Sequence, residues 1–284
     1  MICNICPKRC NVNRDIQSGA CGQTNELKIA KVMLHRYEEP IISGTKGSGA
    51  IFFSGCNLKC VFCQNYPISQ GRKGRLISID DLVEIFKRLE KRGAHNINLV
   101  SPTQFAYQIA AALKVYKPKI PVIWNSNGYE TSEMIDMLSG LVDIYLVDFK
   151  YSDDELALRY SKANNYVDNC HAALQKMKSQ QPNDIIEDGL MKRGVIIRHL
   201  VLPTHTSDSI RCLEFIAKNL GQDSIVSIMS QYEPRYDAKK YFEINRRLTP
   251  IEYKRVVNYA LKLGLKNAYT QDLSSADSKY TPKF

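Results

Sequence analysis

Three cysteines, Cys56, Cys60 and Cys63, lie within eight residues at a C-x3-C-x2-C spacing. A short loop carrying three thiolates can wrap one inorganic centre, and soft thiolates select iron–sulfur clusters, Zn or Cu(I). A cubane 4Fe–4S cluster takes four such ligands, so three leave one iron open to something else. A structural Zn loop uses the same residue type and stays open on spacing alone. The loop follows Ala50-Ile51-Phe52-Phe53. That apolar run, β-branched and aromatic, reads as a buried strand, which puts the cysteines at its end.

A second group stands apart. Cys3, Cys6, Cys10 and Cys21 follow a C-x2-C-x3-C-x10-C pattern in a stretch of Pro, Gly and short polar residues. Loop-rich modules of this kind need a metal to stay ordered. Both a structural Zn ion and an auxiliary iron–sulfur cluster fit. The two groups take seven of the nine cysteines, and Cys170 and Cys212 fall in helix-like segments, where a small buried hydrophobe is expected. Cysteine used this way points to a reducing compartment and metal binding rather than disulfides.

Behind these residues, strands and helices alternate. Strands are expected near Asn96–Val100, Pro121–Trp124, Asp143–Phe149, Gly194–Leu202 and Ser224–Ser230. Helices are expected at Ile79–Arg92, Thr103–Val115, Thr131–Leu138, within Ser152–Lys178, at Ser207–Leu220 and at Thr249–Leu263. Thr249 is a good N-cap and Pro250 suits the first turn. With the cysteine strand this makes six βα units, an α/β fold predicted as a partial (β/α)6 TIM-like barrel with one open side. The expected organisation is a cysteine-rich extension over 1–48, with a strand in 27–38 covering one barrel end, then the barrel over 49–273, then a polar, mobile tail over 274–284.

In such folds chemistry gathers at the carboxyl ends of the strands. Here those ends are polar one after another: Ser101-Pro102-Thr103-Gln104, Asn125-Ser126-Asn127-Gly128-Tyr129, Asp148-Phe149-Lys150, Arg198-His199 and Ser230-Gln231-Tyr232. Singly, each has a structural explanation: Asp148 with Lys150 is an ion pair, the Asn run a turn, Arg198 a partner for a buried carboxylate. Together they call for a ligand.

Composition sets the outer bounds. A chain of 284 residues with 44% hydrophobic and 24% charged residues matches an ordinary globular protein. No window reaches the ~18 apolar residues of a membrane span, and the first residues do not read as a signal peptide, so a cytoplasmic location is expected. The formal net charge is +10, but the basic residues are scattered over helix faces, which argues against nucleic acid. The alternative reading is a non-enzymatic metal-binding module, Zn or iron–sulfur, for an acidic partner such as nucleic acid.

The run Ser54-Gly55-Cys56-Asn57-Leu58-Lys59-Cys60-Val61-Phe62-Cys63-Gln64-Asn65, with an aromatic before its last cysteine, resembles the radical S-adenosylmethionine (radical SAM) superfamily. The Asn127-Gly128-Tyr129 turn, Asp148-Phe149-Lys150 and Arg198 with the following Leu-Val-Leu-Pro make the chain similar to the pyruvate formate-lyase activating enzymes, in a branch with extra N-terminal cysteines. The resemblance implies that Cys56, Cys60 and Cys63 hold a 4Fe–4S cluster whose open iron chelates S-adenosylmethionine. An electron from the cluster would release a 5′-deoxyadenosyl radical that removes hydrogen from a substrate, such as a glycyl radical enzyme, another protein or peptide, or a small molecule.

The same resemblance implies an electron donor such as a flavodoxin or ferredoxin. It places Phe62 beside the adenine and Asn125, Asp148 and Lys150 around the methionine end, with Ser101, Ser126, Asn127 and Arg198 completing the cofactor pocket. It assigns no catalytic acid or base. Two departures stand out: Ser101-Pro102-Thr103 replaces the family's Gly-Gly-Glu, and Asn125 replaces a third-strand acid.

Overall fold

The cysteine loop leaves a six-residue strand, Ser48–Phe53, in which every residue is buried. Only a strand covered on both faces reads this way, and parallel strands are built so. The computed structural model describes residues 2–275 together with Pro282 and Phe284. Most of the tail expected to be mobile lies outside these described residues.

In chain order the elements are β1 (Lys28–His35), α1 (Pro40–Ser43), β2 (Ser48–Phe53), α2 (Tyr66–Ser69), β3 (Arg75–Leu76), α3 (Ile79–Lys91) and β4 (Ile97–Val100). Then come α4 (Ala106–Val115), β5 (Val122–Ser126), α5 (Ser132–Met137), β6 (Ile144–Asp148), α6 (Asp154–Ser161), α7 (Tyr166–Gln180) and β7 (Ile185–Glu187). The chain continues through β8 (Leu190–Leu200), α8 (Thr206–Asn219), β9 (Ile225–Met229), α9 (Pro250–Lys262) and β10 (Ala268–Thr270). The sheet runs β10-β9-β8-β6-β5-β4-β2-β1-β3.

The strands β2, β4, β5, β6, β8 and β9 are the six parallel strands expected, each paired in parallel with the next. The fold is the partial (β/α)6 barrel. Three additions escaped the sequence. β10 is a seventh, three-residue parallel strand beside β9; β3 adds to β1 through two register pairs; β7 is an antiparallel partner of β8. Strands of two or three residues are too short to show a period. The predicted helix from Thr103 starts as a 3-10 turn over Thr103–Phe105 before α4, and Ser152–Lys178 resolves into α6 and α7.

The strand in 27–38 is present, but β1 pairs antiparallel along the edge of β2 instead of covering a barrel end. The segment after it does the covering. Ile41 and Ile42 of α1 pack with Ile123, Ile144, Leu146, Ile196 and Ile225 from inside the barrel. Side chains on a strand alternate faces, so the next inward positions after Ile123, Leu146 and Ile196 are Asn125, Asp148 and Arg198. The barrel is apolar at its base and polar at its mouth because of that two-residue step. Helix ends are set locally: Ser78 and Asp81 form a capping box on α3, as do Thr249 and Glu252 on α9.

Candidate active site

Cys56, Cys60 and Cys63 line one cavity of about 260 Å³. The loop is pinned by backbone: Lys59 N–H donates to Ser161 O and Val61 N–H to Tyr160 O, both at 2.8 Å, from the end of α6. Each sulfur also has a different hydrogen-bonding side chain beside it. Asn127 Nδ2 donates to Cys56 Sγ at 3.3 Å and Ser161 Oγ to Cys60 Sγ at 3.0 Å, while Ser69 Oγ lies 3.2 Å from Cys63 Sγ. Burial pushes the Cys56 thiol up to about 11 and the Cys63 thiol up to about 12. These cysteines are therefore thiols until a metal takes their protons.

Beside them runs a chain of alternating charge. Lys150 Nζ meets Asp148 Oδ2 at 2.7 Å, Asp148 Oδ1 accepts from Arg198 Nε at 2.7 Å, and Arg198 Nη1 meets Glu38 Oε2 at 3.0 Å. Asn125 ties it together, accepting from Arg198 Nη2 at 2.7 Å and donating to Glu38 Oε1 at 3.3 Å. Burial opposes charge at Asp148, but Arg198 and Lys150 outweigh it and hold the carboxyl below its ordinary range. Burial likewise opposes the Lys150 ammonium, and Asp148 outweighs it. The Lys150 side chain keeps 17% of its surface exposed, so a ligand can reach it.

That chain joins the Asp148–Lys150 pair to Arg198, the expected partner of a buried carboxylate. The member the sequence does not mark is Glu38, which lies far off in sequence, in the segment expected as a strand.

Every predicted pocket residue lines this cavity: Phe62, Ser101, Asn125, Ser126 and Asn127, with Asp148, Lys150 and Arg198. Their roles divide, however. Phe62 packs edge-on against Tyr232, ring centroids 5.6 Å apart. Ser101 takes a left-handed φ of 55°, and its carbonyl accepts from Gln104 Nε2 at 2.8 Å. The Ser126 hydroxyl is spent on Glu130 Oε2 at 2.8 Å, and Asn127 is turned onto Cys56 and Asn57. Thr103 of the departing Ser-Pro-Thr also donates to Glu130, at 2.8 Å. His199 is held between Phe149 O and Ser209 Oγ, a structural role.

A family model described as the radical SAM superfamily matches residues 50–216, more than half of the chain. The chain belongs to the radical SAM superfamily. This radical SAM protein is 37% identical to the uncharacterized protein MJ0674 of Methanocaldococcus jannaschii, over 94% of its own length and 76% of the relative's. Its fold is similar to that of SuiB of Streptococcus suis bound to S-adenosylmethionine, with a TM-score of 0.54 at 14% identity over 76% of this chain. It spans 48% of the SuiB chain. Methylornithine synthase (PylB) matches at a TM-score of 0.50 and 14% identity, over 76% of this chain and 60% of that one.

Radical SAM proteins carry a 4Fe–4S cluster and S-adenosylmethionine, and the residues here fit both. Three thiols face one cavity, each sulfur with a hydrogen-bonding neighbour of the kind that tunes a cluster. Among the described residues no group of three or more His, Cys, Asp or Glu side chains is placed to hold a single metal ion. Among the described residues no helix is long and apolar enough to cross a membrane.

Residues before β2 also line the cavity. His35, Tyr37 and Glu38 enter the cavity from the end of β1. The N-terminal thiols Cys3, Cys6 and Cys21 are buried and Cys10 half-buried. Burial raises the Cys6 thiol to about 12, with Cys21, Cys3 and Cys10 adding to the push. Cys170 and Cys212 are buried inside α7 and α8, as read.

Proposed function

We propose that this radical SAM enzyme generates its radical at Cys56, Cys60 and Cys63 and takes hydrogen from a protein or peptide, in the manner of an activating enzyme. When bound, the cluster would supply the electron that cleaves S-adenosylmethionine to methionine and a 5′-deoxyadenosyl radical. The observation that carries the reading is one cavity holding three cysteine sulfurs and the Lys150–Asp148–Arg198–Glu38 chain together.

The residues do the rest of the work. Cys56, Cys60 and Cys63 bind the cluster. Lys150 spends one of its donors on Asp148 and keeps others for a carboxylate. Asn125 and the Asp148 carboxylate supply acceptors for an ammonium group. Phe62 offers an apolar edge for an adenine, and water is excluded by the packed Phe52 and Val100 walls. Ser101, Ser126 and Asn127 shape the pocket's backbone.

A large substrate is favoured because the sheet order ends at β10 on one side and β3 on the other, leaving the barrel open between them. The resemblance to pyruvate formate-lyase activating enzymes points to a glycine backbone as the hydrogen donor. SuiB, whose fold this chain shares, has a structure bound to the precursor peptide SuiA. The extension over 1–48 is proposed as a metal-bearing unit on Cys3, Cys6, Cys10 and Cys21, and a flavodoxin- or ferredoxin-type protein as the electron source.

The test is isotope transfer. Anaerobically reconstituted protein is given S-adenosylmethionine, reductant and candidate substrates deuterated at glycine. Deuterium in 5′-deoxyadenosine from a peptide or protein supports the reading; transfer from small molecules alone refutes it.

A further inference from the structure

Two of the four N-terminal cysteines face one point, and their segment touches the active-site loop. A Cβ on Gly19 would stand 3.3 Å from Cys10 Sγ and 3.7 Å from Cys21 Sγ, so both sulfurs crowd the same point. Backbone bonds fold the segment locally: Cys3 N–H to Val12 O at 2.9 Å, Arg9 N–H to Cys6 O at 2.9 Å and Asn11 N–H to Cys3 O at 3.1 Å. Such a loop has little core of its own to stay folded.

A second observation points to a ligand there. Arg14 is 4% exposed, and its Nε is buried with no hydrogen-bond partner among the described residues. Its Cδ lies 3.8 Å from the same Gly19 point that faces the two sulfurs. The rest of the guanidinium is spent, Nη1 donating to Gln104 O at 2.6 Å and Nη2 to Thr24 O. A buried cation with an unspent N–H is costly unless negative charge stands beside it. Thiolates on a metal centre supply that charge; neutral thiols do not.

The contact with the active-site loop joins one cysteine group to the other. Cys56 N–H donates to Cys21 O at 3.3 Å. Gly55 has φ of 80°, and a Cβ there would meet Cys21 O at 2.7 Å, so only glycine permits the approach. Gln104 doubles the link, donating to Ser54 O at 2.9 Å and Gly55 O at 3.1 Å while its carbonyl takes the Arg14 bond.

We propose that Cys3, Cys6, Cys10 and Cys21 hold a second iron–sulfur cluster that passes one electron to the cluster on Cys56, Cys60 and Cys63 across the Cys21–Cys56 contact. The inference rests on the radical SAM reading above. Iron–sulfur is favoured over Zn because the segment abuts the active-site loop through Cys56 N–H and Cys21 O, and a Zn ion has no electron to pass. The N-terminal cluster loses one electron and the active-site cluster gains it; no bond or proton moves. A low-potential one-electron donor, an iron–sulfur or flavin protein, restores the first, and Cys10, the least buried of the four, marks the side for its approach.

The test uses full-length protein loaded anaerobically with iron and sulfide. Wild type should hold about eight irons, and Cys56→Ser/Cys60→Ser/Cys63→Ser about four, with an EPR signal indifferent to S-adenosylmethionine. Cys6→Ser/Cys10→Ser should keep about four irons and the signal that responds to S-adenosylmethionine. Reduced ferredoxin should reduce its remaining cluster about tenfold or more slowly than in wild type, while dithionite reduces both alike. Zinc or no metal in the triple variant overturns the proposal, and so do equal ferredoxin rates. If the double variant does not fold, wild type decides: one EPR species in place of two overturns it. Wild type with the indifferent signal but none that responds to S-adenosylmethionine refutes the radical SAM reading itself.

Discussion

Asp148 and Arg198 are register partners on adjacent parallel strands, and Arg198 Nε donates to Asp148 Oδ1 at 2.7 Å. Lys150 and Glu38 continue the line on either side, so four charges alternate and cancel within one cavity wall. Breaking such a network by removing one member costs more than the pair is worth, because it strands the partner.

Lys150 sits at the end of the line, so its loss leaves Asp148 still paired with Arg198. Lys150→Met is expected to weaken S-adenosylmethionine binding by about 2–4 kcal/mol, with cluster content unchanged. Equilibrium dialysis against labelled cofactor measures it. Wild-type affinity would return Lys150 to a purely structural role.

Glu38 ends the line on the other side, and its loss leaves Arg198 with Asp148 and Asn125. Glu38→Ala removes the acceptor of Arg198 Nη1 and is expected to cost about 1.5–3 kcal/mol, the scale of one hydrogen bond to a charged group. Urea denaturation of the two proteins gives the difference, and a change within about 0.5 kcal/mol would contradict the network.

Much of this was legible beforehand because the signals are local. The Cys-x3-Cys-x2-Cys spacing and the apolar Ala50–Phe53 run each lie within one short stretch of chain. Thr249 and Pro250 mark a helix start that is observed. What escaped is long-range. Glu38 meets Arg198 only because β1 folds back along β2, and nothing near Glu38 announces it. Asn127 and Ser126 were read with the pocket, but their polar atoms turn to Cys56 and Glu130 for reasons of packing. The two- and three-residue strands β3 and β10 form because a neighbouring edge offers unpaired backbone groups.

Glu39 provides a test in pH. Its carboxyl is buried, with Oε2 unpartnered among the described residues, and burial raises its pKa above the ordinary Glu value. A group raised in the folded state favours folding least once the unfolded chain has ionised it. Native stability therefore falls as pH rises from the unfolded value through the folded one. Glu39→Gln should be more stable than wild type above that window, and the gain should vanish below about pH 4. Thermal melts across pH 3.5 to 8, a range chosen about the ordinary Glu pKa, read the sign. A gain that grew toward acid would contradict it.

Ser161 donates to Cys60 Sγ at 3.0 Å. Such a bond draws charge from the sulfur and raises the reduction potential. Ser161→Ala should keep the cluster and shift its midpoint negative by some tens of millivolts. An EPR-monitored redox titration measures the shift; an unchanged or more positive midpoint would show that the hydroxyl does not tune the sulfur.

The central claim is that Cys56, Cys60 and Cys63 drive reductive cleavage of S-adenosylmethionine. Chromatographic measurement of 5′-deoxyadenosine under anaerobic dithionite reduction tests it in wild type and in Cys60→Ala. The cysteine lies on a loop at the barrel mouth, so its loss should spare the fold. Wild type should form 5′-deoxyadenosine, and Cys60→Ala should form none while keeping a wild-type circular dichroism spectrum. Undiminished product from Cys60→Ala, or none from wild type with its cluster fully loaded, would contradict the account.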